Sequence, residues 1–141
     1  MFLGEFQHSL DAKGRVILPA EFRDDLAEGA VITRGLDGCL SVYPREEFEA
    51  MAESVRDKSR RGDRERRAAR TFFASAKPVQ PDRQGRVAIP QNLREFAGLE
   101  RDVMVVGVDV RVELWDAQRW RDQDVAGQRD LAAAEGLSDF F

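Results

Sequence analysis

One cysteine, Cys39, and one histidine, His8, stand in 141 residues. A lone cysteine excludes an internal disulfide and suits a reducing compartment. The pair is also too few to build a Cys/His metal cluster. No Walker-type loop and no G-x-S-x-G turn occurs, so we expect no enzyme, no cofactor and no small-molecule substrate. His8, at a strand end, reads as structural or solvated. Cys39, among apolar neighbours, reads as a small core residue. No apolar run approaches the roughly 20 residues that span a bilayer. The opening, Met1 to Glu5, has neither a basic segment nor an apolar signal core, so we expect a cytoplasmic chain that does not enter a membrane.

A surplus of positive charge is missing as well. The formal charge is −4, which at first argues against a nucleic-acid partner. The distribution is uneven, however. Residues 1–55 hold five basic and eleven acidic side chains, whereas residues 56–86 hold eleven basic and four acidic. A local basic surface therefore remains compatible with an acidic whole.

What the chain does have is an internal duplication. Asp11-Ala12-Lys13-Gly14-Arg15-Val16-Ile17-Leu18-Pro19 returns 71 positions later as Asp82-Arg83-Gln84-Gly85-Arg86-Val87-Ala88-Ile89-Pro90. Each copy reads as a polar turn with a glycine at its tip, where a positive φ carries no steric cost. A short apolar return strand of a local hairpin follows. Each proline then opens a two-turn helix at its first position, with Phe22 and Leu26 on one face in the first copy and Leu93 and Ala97 in the second.

Strands are expected at Glu5 to Leu10, Ala30 to Thr33 and Cys39 to Tyr43, and again at Ala76 to Gln80, Val103 to Val106 and Arg111 to Trp115. Pro44 opens a longer helix with Phe48, Met51 or Ala52, and Val55 at helical spacing. A matching helix runs from Asp116 through Trp120. The aromatic pairs Tyr43/Phe48 and Trp115/Trp120 read as barrel packing, with a base-stacking platform as the lesser alternative. The division expected is a first repeat over 5–48, a helical connector over 49–75, a second repeat over 76–120 and a tail over 121–141, which from 122 on reads as a frayed helix and a loose end. One copy is near the ~40-residue size below which a lone core is usually inadequate. The two copies should therefore share one core, as a pseudo-symmetric, mainly β, α+β barrel.

The basic run Arg56 to Arg70 reads as a solvated helix face laced with i,i+4 pairs, Asp57–Arg61 and Asp63–Arg67. A nucleic-acid patch is the alternative. The apolar faces around Phe48/Met51/Val55 and Phe72/Phe73 exceed what one small barrel covers and predict a homo-oligomer. The twin turns offer Lys13 and Arg15 in one copy, Arg83 and Arg86 in the other. An arginine fork can hold a phosphate or the edge of guanine, and Asp11 or Asp82 can hold that fork across the turn. By pattern alone, hairpin closure by the Asp–Arg pair is an equal reading.

The two D-x-x-x-R boxes, Asp11–Arg15 and Asp82–Arg86, together with the opening MFLGEFQHSLDAKGRVILP, resemble the MraZ family, built from two SpoVT/AbrB-type repeats. The resemblance reaches to about Trp120. It implies a double-repeat, swapped-hairpin AbrB-like β-barrel with short helices. It also implies a ring oligomer, an octamer among the forms, that is nucleoid-associated and binds double-stranded promoter DNA at short G-rich direct repeats. The implied role is regulation, mostly repression, of the division and cell-wall cluster, including its own promoter. On that resemblance Arg15 contacts DNA, Lys13 fits beside it and Arg86 carries over. Arg83 is our inference from the shifted basic residue of the second box. Asp11, Gly14, Asp82 and Gly85 would form the turns and orient the arginines. A ring-forming protein-interaction scaffold and an antitoxin-like AbrB module are the rival roles.

Overall fold

The computed structural model describes residues 1–133. Eight strands and five α-helices alternate in the order β1 (Glu5–Ser9), β2 (Arg15–Ile17), α1 (Ala20–Leu26), β3 (Ala30–Arg34), β4 (Leu40–Pro44), α2 (Arg45–Ser59), α3 (Asp63–Ser75), β5 (Lys77–Val79), β6 (Arg86–Ala88), α4 (Gln91–Ala97), β7 (Asp102–Val108), β8 (Arg111–Asp116) and α5 (Ala117–Ala133). The fold is α+β with antiparallel pairing throughout. Helices hold more residues than strands, so "mainly β" is corrected. The strands form a six-stranded sheet, β1-β7-β8-β4-β3-β5, and a separate β2-β6 ribbon. Hydrogen bonding does not close them into a barrel, which corrects that part of the expectation.

The copies are not laid side by side; they are crossed. The return strand expected to pair with β1 instead pairs with its own counterpart: Arg15 lies opposite Ala88, Val16 opposite Val87 and Ile17 opposite Arg86. β1 pairs with β7 of the other copy, and β5 with β3. At the centre of the large sheet Leu40 faces Leu114 and Val42 faces Val112. Equivalent residues exchange partners in both ladders, the signature of a two-fold relation between copies. Pro78 lies in β5, at a sheet edge, where a missing N–H breaks no second ladder.

One core fills the space between the sheets and the short helices, drawing equivalent residues from both copies: Val16 with Val87, Leu18 with Ile89, Phe22 with Leu93. Phe2 and Phe6 both meet Phe22 edge-on, with centroids 5.3 and 5.5 Å apart. Such pairs add about 0.5–1.5 kcal/mol each beyond area burial. The prolines that open α1, α2 and α4 sit one position earlier than expected, at the N-cap, with ψ of 144–150°. Their fixed φ suits that place, and in α1 and α4 the proline carbonyl accepts the first turn's N–H, from Phe22 or Leu93.

The connector is a helical hairpin. Phe48 of α2 stacks on Phe72 of α3 at 5.8 Å, which covers part of the apolar surface that suggested an oligomer; Phe73 stays 39% exposed. Its ion pairs are Asp57–Arg60 and Asp63–Arg66, three apart rather than four. α2 ends at Ser59, so Arg61 has left the helix that would carry it toward Asp57. The helix expected from residue 122 on is present, and α5 runs regularly to Ala133 where a frayed one was expected; the rest of that tail, 134–141, lies outside the described residues. Among the described residues, no helix is long and apolar enough to cross a membrane.

Candidate nucleic-acid interface

The two boxes fold alike, bond for bond. In the first, the Gly14 N–H donates to the Asp11 carbonyl at 3.0 Å and the Asp11 N–H to the Arg15 carbonyl at 2.9 Å. Asp11 Oδ1 accepts the Lys13 and Arg15 amides, both at 2.9 Å, while Oδ2 accepts Arg15 Nε at 2.7 Å. In the second, Asp82 Oδ1 accepts the Gln84 and Arg86 amides at 2.9 Å and Oδ2 accepts Arg86 Nε at 2.7 Å. The carboxylate fits both tasks because it is short enough to reach its own backbone two residues on. Three N–H donors stabilise its charged form. Both Asp11 and Asp82 are held below the ordinary carboxylate range, chiefly by the arginine backbone amide; desolvation, the next largest effect, opposes it, and the arginine side chain and the Lys13 or Gln84 amide add to the lowering.

Each aspartate engages Nε and leaves the outer nitrogens of the fork. Among the described residues neither guanidinium makes a second hydrogen bond. Arg15 and Arg86 keep 26% and 28% side-chain exposure. They do not project from a hairpin tip; each lies at the first position of a strand. Gly14 and Gly85 are buried rather than at the tip, with φ of +74° and +77°. The tips are formed by exposed Ala12-Lys13 and Arg83-Gln84, so the basic tip residue is displaced by one between copies.

The crossed pairing decides what the boxes share. On the β2-β6 ribbon, Val16 and Val87 face the core, while Arg15, Ile17, Arg86 and Ala88 share the outer face. Arg15 and Arg86 are diagonal neighbours on it, roughly 7–8 Å apart by ladder geometry. Ile17, 40% exposed, adds an apolar contact on the same face.

Two further residues complete the turns and escaped the sequence reading. Arg23 of α1 donates Nε to the Leu18 carbonyl at 3.0 Å, and Arg94 of α4 donates Nη1 to the Ile89 carbonyl at 3.0 Å. Arg94 lies against Gly14, and Arg23 against Gly85, so closely that a Cβ on either glycine would overlap the guanidinium. Their identical place after the proline, Pro19 to Arg23 and Pro90 to Arg94, was the available signal.

Cys39 is buried, donates Sγ–H to the Leu36 carbonyl at 3.1 Å, and has its thiol pushed up to about 12 by burial and by Glu113. His8 is half-buried on β1 opposite Val103. Trp115 packs on Trp120 at 5.8 Å, and Trp120 Nε1 donates to Glu5. Among the described residues no group of three or more His, Cys, Asp and Glu is placed to hold a metal.

Comparison with known proteins matches the same duplication. The family model described as "MraZ protein, putative antitoxin-like" fits twice, over residues 1–71 and 72–135. A protein named transcriptional regulator MraZ from Acetivibrio thermocellus is 47% identical over 133 residues, 94% of this chain and 92% of its own. One from Thermobifida fusca is 48% identical over 132 residues, with the same coverage. One from Natranaerobius thermophilus is 42% identical over 141 residues, 99% of each. With two family matches spanning nearly the whole sequence, each containing one Asp-held arginine turn, the chain belongs to the MraZ family.

Proposed function

We propose that this chain is a sequence-specific DNA-binding transcriptional regulator, not an enzyme, and that the β2-β6 face with its two turns is the DNA-reading surface. The observation that carries the reading is the pair of arginines clamped by aspartate on one outer face of a two-stranded ribbon. A major groove admits such a ribbon, and an arginine fork fits guanine O6 and N7. An aspartate holding Nε leaves the outer nitrogens for the base and prevents the fork from swinging to the nearest phosphate. Arg15 and Arg86 would read bases; Lys13 and Arg83, at the exposed tips, would meet backbone phosphates, which position the protein without specifying sequence. The relatives' name, transcriptional regulator, supports the same role.

The finer reading follows the family. The crossed copies form an AbrB-like swapped-hairpin module, with repeats over 5–48 and 76–120, a connector over 49–75 and a tail over 121–141. Several chains assemble into a ring, and the ring engages short G-rich direct repeats upstream of its own gene in the division and cell-wall cluster, mostly as a nucleoid-associated repressor. Individually weak heads on a rigid ring gain from high effective concentration, while an acidic remainder disfavours non-specific DNA. A mobility-shift titration at rising salt, with upstream DNA and a scrambled duplex of equal length, tests the reading. Preference for the upstream DNA, with log K falling about 0.9 per phosphate contact per log unit of salt, supports it. Equal binding to both duplexes, or none, defeats it in favour of a scaffold.

A further inference from the structure

We propose that Arg23 and Arg94 are crossed positioning residues: each is rooted in one copy and fixes the DNA-reading turn of the other. The inference rests on the turns being DNA heads, but its geometry does not. Arg94 belongs to α4 of the second copy, anchored by buried Leu93 and Ala97. Its guanidinium lies on Gly14 of the first copy's turn, against backbone that has no Cβ to hold it off. Ile89 closes the connection: its N–H donates to the Gly14 carbonyl at 3.0 Å, and its own carbonyl accepts Arg94 Nη1. The mirror set is complete. Arg23 belongs to α1, anchored by Phe22 and Leu26, lies on Gly85, and donates to the Leu18 carbonyl, while the Leu18 N–H donates to the Gly85 carbonyl at 2.8 Å.

Each turn is thus gripped from two sides. Its own aspartate holds the reading arginine; an arginine from the opposite copy holds the glycine beside it. A planar guanidinium suits the second task, because it is thin enough to lie where a Cβ would be while an N–H donates to a carbonyl. A lysine's point charge cannot do both. Neither half of the duplication would then make a competent head alone, which accounts for two copies in one chain with crossed strands.

The test uses Arg94→Met, Arg23→Met and the corresponding lysine variants of the full-length protein. Hydrogen exchange of the free protein, read by mass spectrometry, reports each turn without DNA. Arg94→Met should raise exchange over 11–16 and leave 82–87 as in wild type; Arg23→Met should do the reverse, and lysine should rescue neither. Loosening of the variant's own copy, of both turns equally, or of neither overturns the proposal, as does full rescue by lysine. In DNA titrations, Arg94→Met should weaken binding roughly three- to tenfold, the effect of one lost hydrogen bond. It should add nothing in an Arg15→Ala background and its full loss in an Arg86→Ala background. Equal losses in both backgrounds overturn it. If Arg15→Ala itself leaves DNA binding intact, the reading of the turns as DNA heads fails, and the exchange measurement still decides the crossed grip.

Discussion

Replacing Gly14 with alanine places two separable costs on one atom. The backbone there has φ of +74°, a region in which a Cβ crowds the following carbonyl for roughly 1–2 kcal/mol. The new Cβ would also overlap the Arg94 guanidinium. To make room Arg94 must give up the Ile89 carbonyl, a further loss of about 0.5–1.5 kcal/mol. Together these come to roughly 1.5–3.5 kcal/mol. Near this chain length each kcal/mol lowers Tm by about 4 °C, so a drop of about 6–14 °C is expected. Circular dichroism melts at one fixed protein concentration measure it, since oligomers melt concentration-dependently. Gly127→Ala is the control: it lies within α5 with nothing inside 4 Å of the new Cβ, and should hold or raise Tm. In an Arg94→Met background Gly14→Ala should lose only its backbone part. A Gly14→Ala protein melting within about 2 °C of wild type would refute the reasoning.

Asp11→Asn keeps an oxygen for the turn amides but loses the charged clamp on Arg15, so it should lower Tm less than Asp11→Ala while weakening DNA binding comparably; equal Tm losses would contradict the division of labour between the two carboxylate oxygens. Because both aspartates have a depressed folded pKa, their contribution is present above the unfolded value near 3.9 and is lost as pH falls through the folded one; carboxyl carbon shifts that titrate above pH 5 would contradict this. Cys39 should resist a thiol reagent at pH 8 until the protein unfolds, given its burial and a pKa near 12, and rapid labelling of native protein would sink that claim. Light scattering should show a homo-oligomer at micromolar concentration, motivated by exposed Leu3, Leu36 and Phe73; a strict monomer would remove it.

Much of the site was legible because it is written in local chemistry. An aspartate four residues before an arginine, around a glycine, specifies its own turn, and the duplication doubled the signal. Pro19, Pro44 and Pro90 marked helix starts to within one residue, and Gly98, with φ of +65°, marked a stop. Partner choice was not legible. Val16-Ile17-Leu18 and Val87-Ala88-Ile89 are alike in shape, so nothing in either run says whether it pairs with the strand before it or with its counterpart 71 residues away. The burial of Gly14 and Gly85 escaped for the same reason. What covers them is an arginine from the other copy, and a solvent-facing tip is the natural reading of a glycine in a polar turn. The full length of α5 was less legible because its outer face mixes charged residues with isolated apolar ones, Val125 and Leu131, and carries no periodic apolar stripe.

The DNA-reading claim rests most directly on Arg15. Fluorescence anisotropy of labelled upstream duplex and its scrambled version, titrated with wild type, Arg15→Ala and Arg15→Lys, measures specificity and affinity together, with sizing of each protein alongside. A bidentate arginine–guanine contact carries about 1–3 kcal/mol of discrimination, so each engaged head should lose roughly 5- to 150-fold, multiplied over heads in one oligomer. Arg15→Ala should fall to the affinity for scrambled DNA with its oligomer size unchanged, and Arg15→Lys should recover little of the preference. Arg15→Ala binding the upstream duplex as tightly and as selectively as wild type would mean that the Asp11–Arg15 pair only closes a turn.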